Sequence, residues 1–146
     1  MASFPSALFL REAEVRRGLE LMFAGQAALA RSVEPILARA DLGRAHQRAL
    51  YFIGRFPDLT VGALISNLGI TKQSLNRVLN ELTERALVEA RVGRDDRRQR
   101  LLRLTETGKV LEAELFEAMR AQMAAAYAQA GQQAVGGFWA VLEGLS

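Results

Sequence analysis

Apolar side chains between Ser6 and Asp41 recur at alternating intervals of four and three residues, the spacing of one face of a long helix. We predict a helix over this stretch, kinked or restarted at Pro35, because proline lacks a backbone N–H donor and its ring crowds the preceding turn. The seam can pack within its own domain, the commoner arrangement for a single helix, or against a second subunit. Its members are Val15, Leu19, Met22, Gln26, Leu29, Val33 and Ile36.

The middle of the chain predicts three shorter helices. The first runs from Arg44 to Phe56 and ends at the break Phe56-Pro57-Asp58. The second is capped by Thr60 and ends at Leu68, and the third is opened by Thr71 and extends to about Arg85. Gly69 supplies a tight turn between the last two, which is the pattern of a helix-turn-helix.

Alternation of apolar with polar residues then predicts two strands, Leu87 to Val92 and Arg100 to Leu104. The loop from Gly93 to Gln99 joins them into a β-hairpin. A helix-turn-helix followed by such a hairpin is a winged helix.

The last stretch, from Glu106 to Ser146, predicts a long helix and then a shorter one, interrupted at Gly131 and at the pair Gly136-Gly137. Its apolar positions are typical of a core or an interface rather than of a cofactor site; they are Leu111, Leu115, Met119, Met123, Phe138, Trp139, Leu142 and Leu145. The predicted fold is therefore mainly α with a small β-hairpin: a winged helix-turn-helix flanked by N- and C-terminal dimerisation helices.

We divide the chain into an N-terminal dimerisation arm (1–42), a winged helix-turn-helix domain (43–105) and C-terminal dimerisation helices (106–146). The two arms are too long merely to cover the small domain between them. We therefore expect them to pack on each other and on a symmetry mate, which gives a two-fold dimer.

Composition narrows the class of protein without naming a function. Of the 146 residues, 50% are hydrophobic and 24% are charged, which is typical of a folded domain rather than of a disordered chain. The first residues lack the basic leader of a secretory signal, and no apolar run is long enough for a membrane span. Cysteine is absent, so disulfides and thiolate metal sites are excluded. We expect a cytoplasmic protein with no membrane partner.

The positive charge is concentrated in one segment of the predicted hairpin. Between Arg91 and Arg103, six arginines stand against Asp95 and Asp96, whereas the rest of the chain is close to neutral. A compact basic patch on a near-neutral body indicates a polyanionic partner, although a solvated charged loop has the same composition.

The third helix of the winged helix separates its residue types by face. At 100° per residue, Leu75, Val78, Leu79 and Leu82 fall on one arc, and a polar set falls opposite. The polar set has no acid in its first two turns, since Glu81 and Glu84 come only at the far end. Arginine and lysine reach guanine edges, and glutamine and asparagine reach adenine. We predict a DNA-recognition helix whose contacts are Thr71, Lys72, Gln73, Ser74, Asn76, Arg77 and Asn80.

The loop from Gly93 to Gln99 is the predicted wing tip, where Arg94, Arg97 and Arg98 suit a minor groove or the phosphate backbone. Two aspartates are unexpected in a loop predicted to approach DNA, because their carboxylates would be repelled by the phosphates. We expect Asp96 to structure the wing instead, by accepting backbone hydrogen bonds in the turn and pairing with an arginine.

Other candidate chemistry is weak. His46 is the only histidine, so without cysteine it makes no zinc site, and we expect a surface or packing role for it with an effector contact as the less common alternative. Ser74 has no partner histidine for a hydrolase triad. The glycines near Gly131 do not form a phosphate-binding loop. We predict no enzyme activity, no cofactor and no metal.

Several motifs resemble those of the MarR family of winged-helix regulators. The run from Asp96 to Thr105, DRRQRLLRLT, has the family's acid, one residue, arginine, five residues and Leu-Thr, and Glu106-Thr107-Gly108 follows. Leu68-Gly69-Ile70-Thr71-Lys72 resembles the entry to the family's recognition helix. The exit, from Leu82 to Val88, also matches, with Ala86 where glycine is commoner.

Within the family the chain is most similar to the PetP-type group, through the runs GRAHQRALYFIGR (43–55) and ITKQSL (70–75). The resemblance implies a homodimer that binds a pseudo-palindromic operator in double-stranded DNA. It also implies control by a small-molecule effector, often bound between the arms and the winged helix, but no residue pattern identifies that effector. The alternative from the residues alone is a winged-helix protein-interaction module that binds an acidic partner.

Overall fold

The computed structural model describes residues 7–146, so the first six residues of the predicted arm lie outside the described residues. One turn of 3-10 helix, Leu8–Leu10, precedes the first α-helix. The other elements, in chain order, are α1 (Glu12–Ala40), α2 (Arg44–Arg55), β1 (Leu59–Thr60), α3 (Val61–Leu68), α4 (Lys72–Glu84), β2 (Val88–Val92), β3 (Arg100–Leu104), α5 (Glu106–Ala130) and α6 (Gln132–Leu145). The predicted mainly α winged helix-turn-helix, flanked by helical arms, is confirmed in outline.

Helix α1 runs through Pro35 without restarting. Pro35 and the residue one turn before it, Arg31, are both exposed, so the turn that lacks a backbone hydrogen bond lies on the outer side of α1. The helix ends where Asp41 adopts a left-handed conformation at φ 53° and the Leu42 N–H bonds to the Leu37 carbonyl at 2.9 Å. The second half of the predicted seam is packed, with Val33 buried and Leu29 and Ile36 partly buried, whereas Val15 and Leu19 in the first half are about half exposed.

One core joins the winged helix to the arms. Helix α2 lies at its centre and contacts α1, α3, α4, α5 and β3. The side chains of Ala49, Leu50 and Ile53 on α2 are fully buried, as are Leu64 on α3 and Leu75 on α4. Leu115 brings α5 into the same cluster. The predicted stripe on α5 is therefore a packing face.

The sheet has three strands in the order β1-β3-β2, all antiparallel. The predicted hairpin is β2-β3, in which Val88 is opposite Leu104 and Val92 opposite Arg100. The sequence analysis missed β1, because two residues are too few to show alternation. β1 pairs with β3 on the side away from β2 and anchors the start of α3 to the base of the wing.

The C-terminal arm is interrupted at Gly131 alone, where φ is +91°. The prediction that Gly136-Gly137 also interrupts it is wrong, because both residues lie inside α6. Several apolar residues of α6 are exposed, including Phe138 and Trp139 at 42% and 54%. Across residues 7–146, no helix has the length and apolarity to cross a membrane.

Candidate nucleic-acid interface

The first turn of α4 is capped by the residues that precede it. The Thr71 hydroxyl accepts a hydrogen bond from the Ser74 N–H at 3.1 Å and donates one to the Ser74 hydroxyl at 2.9 Å. Gly69, in the left-handed region at φ 63°, ends α3 two residues before this cap. The other N–H groups of the first turn remain open to an incoming anion, and the Ser74 hydroxyl keeps its own proton to donate.

The two faces of α4 separate as the residue pattern predicts. Leu75, Val78, Leu79 and Leu82 are buried in the core. The opposite set is exposed, and within residues 7–146 none of its side chains forms a hydrogen bond or an ion pair; this set is Lys72, Gln73, Asn76, Arg77 and Asn80. A row of long polar side chains without internal partners is free to contact an external one.

The wing tip is shaped by short contacts within the loop. The Asp96 carboxylate accepts the Arg98 backbone N–H at 2.9 Å and lies 3.4 Å from the Arg98 Nε. Gly93 donates from its backbone N–H to the Gln99 carbonyl at 2.9 Å. A Cβ at Gly93 would come within 2.6 Å of the Asp96 carbonyl oxygen, so only glycine permits this turn.

The predicted wing arginines all extend from this loop into solvent. Arg98 is 93% exposed despite its contact with Asp96. Arg94 and Arg97 are exposed, and neither is paired with any acid in the described part of the chain. The structure therefore presents two basic features, the outer face of α4 and the tip of the wing, as exposed surfaces.

One arginine of the basic segment is already paired within the protein. Arg103 on β3 donates to the Asp58 carboxylate through two hydrogen bonds, at 2.6 Å from Nε and 2.7 Å from Nη2. These bonds hold the pKa of the Asp58 carboxyl below its usual range. Arg91 lies 3.5 Å from Glu89 on its own strand. The expectation that the whole segment is one free basic patch is therefore too broad, since its ends are internally compensated.

Two contacts that the sequence analysis missed join α4 to the turn between α1 and α2. His46 accepts the Gly43 N–H at Nδ1 at 3.0 Å, so its Nε2 carries the proton and donates to Glu81 at 2.5 Å. At the end of α4, Arg85 donates to the Ala40 carbonyl and lies 3.4 Å from the Asp41 carboxylate. No local pattern reveals such pairs, because their members are 35 or more residues apart.

The residues that the structure describes contain one histidine, His46, and no cysteine. No group of three histidine, cysteine or acidic side chains there is placed to hold a metal ion. His46 is engaged with Gly43 and Glu81, which matches the packing role expected for it.

Comparison with known proteins places the chain among transcription regulators. The family model described as MarR family matches residues 40–99. The HTH-type transcriptional regulator PetP of Rhodobacter capsulatus is 55% identical over 138 residues, which cover 94% of this chain and 83% of the relative. These proteins are regulators and not enzymes.

Solved structures share the fold at lower identity. NadR in complex with 4-hydroxyphenylacetate superposes with a TM-score of 0.76 at 22% identity, covering 99% of this chain and 96% of that one. Streptococcus pneumoniae FabT in complex with DNA gives a TM-score of 0.71 at 19% identity, over 93% of this chain and all of the other. The 55% identity to PetP, with which the family model agrees, shows that the chain belongs to the MarR family of transcriptional regulators.

Proposed function

We propose that this regulator is a homodimer that binds a pseudo-palindromic operator in double-stranded DNA, with one α4 in the major groove of each half-site. The exposed outer face of α4 carries the proposal, because its five unpartnered polar side chains are of the types that distinguish bases and include no acid. Two such faces related by a two-fold axis would fit half-sites about one helical turn apart.

The wing supplies the sequence-independent part of the proposed interface. Arg94, Arg97 and Arg98 extend from a loop held by Gly93 and Asp96, and arginine side chains suit the minor groove and the phosphates on either side of it. The full set of proposed DNA contacts is Thr71, Lys72, Gln73, Ser74, Asn76, Arg77, Asn80, Arg94, Arg97 and Arg98, with Asp96 structuring the wing.

Exposed apolar side chains in both arms support the homodimer. In the first half of α1 they include Val15, Leu19 and Phe23, and α6 adds Trp139 and Leu145. Apolar residues this numerous are rarely left in contact with water on a monomer. We assign residues 1–42 and 106–146 to dimerisation and residues 43–105 to DNA binding.

We further propose that the dimer acts in the cytoplasm and responds to a small-molecule effector. The ligand of NadR and the DNA of FabT, bound on the same fold, support a shared regulatory scheme. Mass spectrometry of small molecules that co-purify with the dimer would identify an effector directly.

The test begins by selecting preferred duplexes from a random DNA pool and then measures binding by fluorescence anisotropy over a range of salt concentrations. We expect a clear preference over random duplex and a steep loss of affinity with salt, because arginines displace counterions from the phosphates. If the protein shows no sequence preference at moderate salt, the homodimeric operator-binding proposal fails and the winged helix is better explained as a module that binds an acidic protein.

Two variants separate base readout from phosphate binding. Arg77→Ala should lower the affinity for the preferred duplex by about tenfold to a hundredfold and should affect the affinity for random DNA much less. Arg97→Ala should lower the affinity for both duplexes by the same factor and should make that affinity less dependent on salt. Arg120→Ala, which removes the same charge from an exposed position on α5, is the control and should change neither. Equal losses on both duplexes for Arg77→Ala would contradict the readout role.

A further inference from the structure

A cleft of about 640 Å³ opens between the end of α2, strands β2 and β3, and the first turns of α5. This volume lies within the range of small-molecule sites. Ile53, Pro57 and Leu104 form an apolar part of its lining, and charged side chains form much of the rest. No residue of α1 lines the cleft, which lies between α5 of the C-terminal arm and the winged helix.

The cations that line the cleft already have acidic partners. The three pairs are Arg103 with Asp58, Arg91 with Glu89, and Lys109 with Glu106. The acid that remains is Glu112 on α5. Across residues 7–146 its carboxylate forms no ion pair and accepts no hydrogen bond, so the cleft has one uncompensated negative charge.

The surroundings of Glu112 make that charge unfavourable. Burial raises the pKa of the Glu112 carboxyl. Its side chain lies against Gly54, where a Cβ would stand 3.5 Å from the Glu112 Cγ and 2.8 Å from a methyl of Leu104. The missing side chain at Gly54 thus leaves room for the carboxyl group. A partly desolvated carboxylate without a donor is stabilised when a cation supplies one.

We propose that this cleft binds a small organic monocation, a primary amine with an apolar body, whose ammonium group donates hydrogen bonds to the Glu112 carboxylate. The apolar body would contact Ile53, Pro57 and Leu104. A ligand there touches both α5 and the strands of the wing, so it would restrict the wing relative to the arm. Only this effect on the wing rests on the proposed function; the binding itself does not.

Three probes with nearly the same skeleton and different charge test the proposal: phenethylamine, phenethyl alcohol and phenylacetate. Each is titrated into the isotope-labelled full chain without DNA, and backbone amide shifts are followed by NMR. We expect phenethylamine to shift the amides of Gly54 and Leu104 at millimolar concentration or below, with an affinity at least about tenfold above that of the other two probes.

The variant Glu112→Gln keeps the shape of the side chain and removes its charge. It should lower the phenethylamine affinity by about tenfold and leave that of the alcohol unchanged. Because burial disfavours the carboxylate, this variant should be at least as stable as the native chain, which a thermal melt checks. Glu34→Gln, an exposed change on α1, is the control and should bind the amine normally.

Stronger binding of phenylacetate in the cleft, an unchanged amine affinity in Glu112→Gln, or no amide shift at Gly54 and Leu104 would each overturn the proposal. The anisotropy titrations with DNA report separately on the proposed function. If the protein prefers its selected duplex but does not bind the amine, only the cleft proposal is rejected. If it binds the amine but shows no preference among duplexes, only the DNA-recognition proposal is rejected.

Discussion

Arg103 on β3 and Asp58, in the turn after α2, are joined by two parallel hydrogen bonds of 2.6 and 2.7 Å. Asp58 occupies the left-handed region at φ 66°, a conformation that aspartate tolerates better than most residues, and its N–H bonds to the Leu102 carbonyl. The pair therefore fastens the base of the wing to the turn that leads into the helix-turn-helix.

We predict that Asp58→Asn lowers the melting temperature at neutral pH. Asparagine retains the left-handed turn but loses the charge that the Arg103 guanidinium stabilises. Because the Asp58 pKa is lowered in the folded state, the stabilisation is complete above about pH 4 and is lost as the pH falls through the lowered value.

Thermal melts of both proteins from neutral to acid pH would therefore converge in acid. Asp95→Asn is the matched control, since Asp95 is exposed and forms no ion pair within residues 7–146. If the difference in melting temperature between Asp58→Asn and the native chain grows as the pH falls, the Asp58 carboxylate is not stabilised by Arg103 as proposed.

The hydrogen bond from His46 to Glu81 predicts a role in positioning the recognition helix. In His46→Asn, the amide oxygen can replace Nδ1 as the acceptor for Gly43, but the side chain no longer reaches Glu81. We expect the affinity for the preferred duplex to fall about fivefold, which corresponds to roughly 1 kcal/mol, with little change for random DNA.

Glu81→Gln is the companion variant for this prediction. It keeps an acceptor for the His46 N–H and removes only the charge, so its loss should be smaller than that of His46→Asn. Anisotropy titrations on the preferred and random duplexes measure both variants. Normal affinity of His46→Asn for the preferred duplex would show that the contact serves the fold alone.

Local patterns predicted most of this fold because most elements are encoded by short repeats and caps. The α4 helix shows both signals, a Thr71 cap and four buried residues at helical spacing. β1 was missed because its two residues are held by pairing with β3, a partner about 40 positions away in the chain. The continuity of α1 through Pro35 depends on exposure, which a sequence pattern does not reveal.

The residues of the candidate site likewise include some that the sequence could identify and some that it could not. The exposed face of α4 follows from helical geometry, so its residues could be named in advance. By contrast, Arg103 and Arg97 belong to the same basic segment, and nothing in the sequence distinguishes them. Only the fold shows that Arg103 is paired with Asp58. Glu112 stood out in no motif, because its lack of a partner is a property of the surrounding cleft.

The two aspartates of the wing should have opposite effects on DNA binding. Asp96 holds the Arg98 backbone N–H, so Asp96→Ala should weaken binding several-fold although it removes a negative charge. Asp95 makes no such contact, and Asp95→Ala should strengthen binding slightly by removing repulsion. Titrations at two salt concentrations compare them, and an increase in affinity for both variants would refute the structuring role of Asp96.

The end of α4 places a residue with a Cβ where glycine is preferred. Ala86 has φ 57°, and the Leu87 N–H bonds to the Leu82 carbonyl while the Ala86 N–H bonds to that of Thr83. This is a Schellman motif, whose left-handed position is usually glycine. Alanine there costs about 1 kcal/mol or more, which explains why the family pattern favours glycine at this point.

We therefore predict that Ala86→Gly stabilises the protein. The gain is reduced by the greater freedom of glycine in the unfolded chain, which leaves a net of about 0.5 kcal/mol and a rise in melting temperature of about 2 °C. Gly69→Ala is the opposite test, because Gly69 has a similar φ of 63° at the end of α3 and a Cβ there meets no atom within 4 Å. Its melting temperature should fall through backbone strain alone. If Ala86→Gly lowers the melting temperature, left-handed strain is not what distinguishes alanine from glycine at this position.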